Sequence, residues 1–190
     1  MTPARLKLIL LLAGVVLAGL ALLAWTQEWF GITLLDGAVL SVSGEIAAPA
    51  LTALALTGLV LVGALSIAGP FFRVILGSLQ ALLGFTIGFS AVLAILDPLT
   101  ASAAAITTAT GVSGELVGAQ ASAFTSTAWP WLAVVAGALL IVTGFLVVAT
   151  GRTWPGSSRK YQAVKLAPAD GTRSSVDDWD ALSGGDDPTR

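Results

Sequence analysis

Long apolar runs separated by polar segments dominate the pattern along the chain. A helix that rises 1.5 Å per residue needs about 20 apolar residues to cross a hydrocarbon core of ~30 Å. Four runs are long enough, and apart from Lys7 near the start of the first run they contain no charged residue. They cover residues of about 6–24, 47–68, 74–96 and 129–150. The pattern therefore predicts an all-α membrane protein, with a four-helix transmembrane bundle over residues 1–150.

A cleaved signal peptide is the alternative interpretation of the first run. A basic start precedes it, and Gly19-Leu20-Ala21 is similar to a cleavage site. The apolar run is longer than the ~7–15 residues of a signal-peptide core, however. An uncleaved anchor is therefore expected.

The basic residues all fall on one side of this four-span arrangement. Arg5 and Lys7 precede the first span, Arg73 lies in the predicted turn between the second and third spans, and the remaining basic residues follow the fourth span. The long loops 25–46 and 97–128 contain no Lys or Arg. The positive-inside rule then places both termini in the cytoplasm and both long loops outside, as in a multi-pass protein of the cell (inner) membrane.

Tryptophans lie close to the predicted span ends. Indole rings are amphipathic and collect at the depth of the lipid headgroups. Interface anchoring is therefore expected for five of the six tryptophans, Trp25, Trp29, Trp129, Trp131 and Trp154.

Small residues recur at helical spacing along one face of the third span. The residues concerned are Gly77, Ala81, Gly84, Gly88 and Ala91. Small side chains allow the backbones of two helices in lipid to approach closely. Packing of this face within the bundle is expected, and a homodimer formed through the same face is the alternative.

The loop 25–46 carries a hairpin signal. Asp36-Gly37 separates two β-prone segments, 30–35 and 38–43, and Asp-Gly is typical of a tight hairpin turn. A small extracytoplasmic β-hairpin is therefore predicted. The loop 97–128 is rich in Ala, Ser, Thr and Gly, and it is expected to be a solvated connector in which 101–110 is a short helix or a mobile segment.

The composition changes at residue 151, where a cytoplasmic tail, 151–190, is predicted to be disordered. Arg159 and Lys160 lie close to the membrane and are expected to contact anionic headgroups. Further on, Val176, Trp179 and Leu182 would share one face of a short helix. Such a helix is too short to be stable alone, so the segment 175–190 is predicted to dock on a protein partner.

Composition excludes several classes of function. The chain is 56% hydrophobic and 11% charged, with no cysteine and no histidine. These values exclude a disulfide scaffold, a Cys or His nucleophile and a His-ligated metal or haem. A net charge of −2 argues against nucleic-acid binding. No catalytic, cofactor-binding or metal-binding residues are predicted, and the protein is not expected to be an enzyme.

Short motifs resemble a known family. They are Ser43-Gly44-Glu45, Trp129-Pro130-Trp131, Ser158-Arg159-Lys160-Tyr161, Asp178-Trp179-Asp180-Ala181-Leu182 and Gly185-Asp186-Asp187-Pro188-Thr189. Together they resemble the tryptophan-operon-associated membrane proteins of actinobacteria, also called Trp biosynthesis-associated membrane proteins. Ser183 stands where that family usually has Asp, and Asp186 where it has Glu. The resemblance implies a four-span membrane protein encoded near tryptophan-biosynthesis genes, and it supplies no reaction.

Three functions are then open. The first is an accessory or scaffold membrane protein that docks a partner through its tail. The second is transport of tryptophan, indole or an aromatic precursor, alone or as a subunit, although the spans lack the ionisable residues that coupled transporters place near the midplane. The third is an extracytoplasmic contact protein of claudin-like shape, for which the paired loop cysteines are missing.

Overall fold

The computed structural model describes residues 2–154 and consists of a helical bundle with a small sheet at one end. Among these residues four helices are long and apolar enough to cross a membrane, which confirms the predicted number of spans. The helices are α1 Pro3–Thr26, α2 Gly44–Ala47, α3 Ala50–Ile67, α4 Pro70–Leu96, α5 Pro98–Thr110 and α6 Trp129–Thr150.

Proline sets the start of several helices and explains where the spans differ from their predicted limits. Ala48, which precedes Pro49, has φ −145° and ψ 67°, and these non-helical angles interrupt the helix between α2 and α3. The second span therefore begins at Ala50, not near residue 47. Pro70 opens α4, because a first-turn residue needs no amide donor. Arg73 therefore lies in the first turn of α4, and its predicted place in a turn is wrong.

The most extensive helix contact joins α4 and α6. Helix α1 packs against both α3 and α6, and α3 also contacts α4. Two groups of buried apolar residues result. The larger lies at the sheet end of the bundle, and the smaller, around Leu10, Leu65 and Val147, lies at the opposite end.

The sheet has the strand order β2-β1-β3, with β1 Glu28–Leu34, β2 Val39–Ser43 and β3 Ala121–Ser126. Strand β1 pairs antiparallel with both neighbours. At the predicted turn Gly37 has φ +85°, which favours glycine, and Asp36 Oδ1 accepts a hydrogen bond of 2.9 Å from the Ala38 amide. The hairpin prediction is confirmed.

The segment between α4 and α6 is more ordered than a solvated connector, so that expectation is wrong. It contains α5, which ends at Gly111 with φ +72°, a 3₁₀ helix at Gly114–Gln120, and the third strand of the sheet. Strand β3 joins the sheet through main-chain bonds to β1, and Thr127 Oγ1 also donates to the Glu28 carbonyl at 2.7 Å. The two long loops therefore form one folded cap.

Candidate functional site

The small-residue face of α4 lies against α6. A Cβ atom placed on Gly84 would be 2.6 Å from the Gly137 carbonyl oxygen, and one on Gly144 would be 2.6 Å from the Ala81 amide nitrogen. Gly77 faces Val147, while Gly88 is in ordinary contact with α6. Ala91 is buried in the larger apolar group. Because α6 of the same chain occupies this face, a second copy that used it would have to displace α6.

A single polar pair lies inside this helix contact. Gln80 Nε2 in α4 donates to Thr143 Oγ1 in α6 at 2.8 Å, and Thr143 Oγ1 donates to its own helix at the Leu140 carbonyl, 3.0 Å away. Both side chains are buried. Gly14 of α1 is close by, since a Cβ there would lie 3.6 Å from Gln80 Nε2. The pair therefore links α4 to α6 where α1 approaches them.

Arg73 connects α4 to the end of α6. Its side chain is 1% exposed, and Nη1 donates to the carbonyl oxygens of Gly151 at 2.9 Å and Trp154 at 3.1 Å. The guanidinium carbon lies 5.5 Å from the centre of the Trp154 ring, within cation–π range. The helix that carries Arg73 thereby fixes the chain just after α6.

Sequence reasoning missed this role of Arg73. The sequence pattern indicates only that Arg73 is one more basic side chain on the side of the membrane that carries the positive charges. The sequence does contain a signal for this role, because Arg73 is a lone arginine between Phe72 and Val74 at the start of an apolar run. An uncompensated charge would be costly there, so a partner for the guanidinium is expected. A basic side chain also joins α1 to α3 at the same end of the bundle, because Lys7 Nζ donates to the Ser66 carbonyl at 2.8 Å.

The five predicted anchor tryptophans have different environments. Trp131 is 55% exposed, and Trp25 and Trp129 are half-buried, as side chains at a lipid boundary would be. Trp29 is fully buried, and its Nε1 donates to the Ala24 carbonyl at 2.7 Å because β1 folds back on the end of α1. Trp154 is 3% exposed against Arg73. Interface anchoring is therefore the wrong interpretation of Trp29 and Trp154, whose rings pack inside the protein.

An open cavity of about 470 Å³ lies between α4, α5 and the chain that enters α3. Its lining is mostly apolar, with Ser90, Asp97 and Thr100 as the polar residues. Asp97 caps α5 by accepting a hydrogen bond of 3.0 Å from the Thr100 amide. Hydrogen bonds from the Thr100 side chain and then from its backbone lower the pKa of the Asp97 carboxyl. The carboxylate is thus engaged in capping a helix.

The predicted tail sites lie outside the described residues. They are Arg159 and Lys160 for headgroup contact and Val176, Trp179 and Leu182 for partner docking. Within residues 2–154, no three acidic side chains are grouped so that they could hold a metal ion.

Comparison with known proteins identifies the family. The model of the tryptophan-associated transmembrane proteins matches residues 8–189, which is nearly the whole chain. The chain belongs to the tryptophan-associated transmembrane protein family. The family resemblance inferred from the sequence motifs is thereby confirmed. No curated protein and no solved structure is significantly similar to the chain.

The family description can be compared with the helices of the structure. The four long apolar helices and the family description agree that this tryptophan-associated protein is a multi-pass membrane protein. The matched range, 8–189, includes the cap, nearly all of the bundle and nearly all of the tail.

Proposed function

We propose that this tryptophan-associated transmembrane protein is an accessory protein of the cell membrane, without catalysis of its own, that presents its tail to a protein partner. The partner would bind the segment 175–190 through Val176, Trp179 and Leu182. The acidic side chains around Trp179 favour a partner groove that is apolar in its centre and basic at its rim.

The observation that carries this proposal is the attachment of Gly151 and Trp154 to Arg73. A buried guanidinium that binds two carbonyl oxygens is a strong, charge-assisted contact. It holds the first residues of the tail, 151–154, against α4. This contact supports the proposal because it gives the tail a fixed starting point at the end of the bundle.

The distribution of charge supports a cytoplasmic tail. In the described chain, Lys7, Arg73 and Arg152 lie at one end of the bundle, and the acidic residues Glu28, Asp36, Glu45, Asp97 and Glu115 belong to the segments at the other end. The positive-inside rule then favours cytoplasmic termini and an external cap. Because the chain contains no cysteine, single cysteines at Leu35, which is exposed beside the hairpin turn, and at Thr153 would report the orientation without background. Labelling of position 153 from outside intact cells would contradict it.

The transport hypothesis has less support from the bundle. The polar side chains buried in the α4–α6 contact, Gln80 and Thr143, bond to each other, and the glycines around them bring the backbones into contact. A solute path would need groups that are free to bind a solute. Tryptophan flux into proteoliposomes above the level of empty liposomes would favour transport over the accessory role.

Site-directed photocrosslinking from the tail tests the accessory role. A photoreactive residue at position 181, next to the proposed face, should give a discrete crosslinked species in native membranes, identified by mass spectrometry. The species should disappear in Trp179→Ala and persist in the matched control Trp131→Ala, which removes an exposed ring at the other end of the bundle. Crosslinks that are unchanged by Trp179→Ala would overturn the docking proposal.

A further inference from the structure

A second open cavity, of about 400 Å³, lies at the end of the bundle opposite the cap. Pro70, Phe71, Val74 and Ile75 of α4 line it, together with Arg152, which follows α6. Phe71 is 73% exposed and Ile75 is 42% exposed, so the apolar wall faces outward. In a spanning bundle this wall faces lipid, and it begins at the boundary with water.

Arg152 gives this cavity a charged rim. The side chain is exposed, it lies two residues after the last residue of α6, and no hydrogen bond or ion pair engages it within residues 2–154. The carboxylates of the described chain belong to the cap segments, so they do not neutralise this rim.

We propose that this cavity binds one anionic phospholipid. Arg152 would hold the phosphate of the headgroup, and an acyl chain would lie along Phe71, Val74 and Ile75. A guanidinium matches phosphate oxygens in a two-point contact. An apolar wall directly below the charge suits a molecule that combines a phosphate with a hydrocarbon chain, whereas a soluble phosphate would leave the wall uncovered.

Native mass spectrometry of the full chain tests the site. The protein would be released from mixed micelles that contain equal amounts of phosphatidylglycerol and phosphatidylcholine with identical acyl chains. One basic side chain near the surface corresponds to about a fivefold preference for an anionic lipid. We expect about that preference in the first bound lipid, a loss of it in Arg152→Gln, and a partial return in Arg152→Lys, because lysine keeps the charge but cannot make the two-point contact.

A matched control distinguishes lipid binding at this cavity from general attraction of anionic lipid to a basic surface. Arg5→Gln removes the same charge near the same end of the bundle but does not line the cavity. It should leave most of the phosphatidylglycerol preference in place. An equal loss in Arg5→Gln and Arg152→Gln would overturn the proposal, because it would show attraction to the surface as a whole.

A second variant tests the hydrocarbon part of the site. Val74→Phe places a larger side chain in the cavity, so we expect it to lower occupancy by phosphatidylglycerol several-fold. The control is Leu82→Phe, at a 59% exposed position of α4 that does not line the cavity, and it should leave the occupancy unchanged. The same spectra report oligomeric state. A dimer that Val74→Phe abolishes, without any lipid preference in the wild type, would identify a second copy as the occupant and overturn the proposal.

Discussion

Gly84 of α4 and Gly137 of α6 meet backbone to backbone. A Cβ on either residue would lie 2.6 Å from the carbonyl oxygen of the other, which is closer than real Cβ contacts. Neither residue has a flexible neighbour that could give way, because the atoms nearest to both positions are largely backbone. This contact sets the separation of the two helices that pack most extensively in the molecule.

Gly84→Ala should therefore destabilise the bundle, and Gly88→Ala should not. Overpacking costs about 1–3 kcal/mol in tight contacts. At Gly88 the nearest atom to an added Cβ is 3.7 Å away, so alanine fits there and also favours the helix. Thermal unfolding in detergent would measure both variants. An equal loss of stability in the two would contradict the α4–α6 geometry.

The hydrogen bond between Gln80 and Thr143 should contribute less to the free energy of unfolding than its burial suggests. Hydrogen bonds between membrane helices average about 0.6 kcal/mol. We expect Thr143→Val to lower the free energy of unfolding by about 0.5–1.5 kcal/mol, and a cycle with Gln80→Met to show coupling. The control is Thr86→Val, since within residues 2–154 the Thr86 hydroxyl bonds only to the Leu82 carbonyl of its own helix. No coupling between Gln80 and Thr143 would mean that their 2.8 Å contact does not form.

The small-residue face was readable from sequence because its spacing is local to one helix. The helix that packs against this face was not, since the spans are largely apolar on all sides and each contains at least two glycines. The third strand was missed for a related reason. Residues 121–126 are mostly exposed, so β3 shows no buried alternation, and it is held by main-chain bonds to β1 that leave no side-chain pattern. Asp36-Gly37 was informative because turn chemistry is local.

Trp29 should contribute to stability as a core residue. Trp29→Phe removes the hydrogen-bond donor to the Ala24 carbonyl. It also leaves a gap beside Phe30, whose ring centre lies 6.4 Å from the Trp29 ring centre in an edge-on arrangement. We expect a loss of about 1–3 kcal/mol. Trp131→Phe, at a 55% exposed ring, is the control and should change stability little. If both variants behave alike in chemical unfolding, Trp29 acts as a boundary residue after all.

Acid should loosen the start of α5. The folded pKa of Asp97 is depressed by the bonds from Thr100, so the capping contribution is present above the ordinary carboxyl pKa and is lost as pH falls through the lower folded value. Hydrogen exchange at the Thr100 amide should therefore gain protection as pH rises from below about 4, after correction for intrinsic rates. Asp97→Asn keeps an acceptor and should remove that pH dependence. A pH dependence that survives in Asp97→Asn would assign it to another group.

Arg73 should control the mobility of the chain just after α6. Glutamine at position 73 is shorter than arginine and uncharged, so it cannot replace the bonds to both the Gly151 and Trp154 carbonyls. The turn at residues 151–154 should therefore loosen in Arg73→Gln. With no native cysteine in the chain, a spin label on Thr153→Cys reports this turn alone. We expect a clear increase in label mobility in Arg73→Gln, a smaller one in Arg73→Lys, and none in the control Arg5→Gln, which removes a basic charge from the exposed start of α1. Unchanged mobility in Arg73→Gln would show that the tail has no fixed starting point, and the proposed presentation of segment 175–190 would lose its structural support.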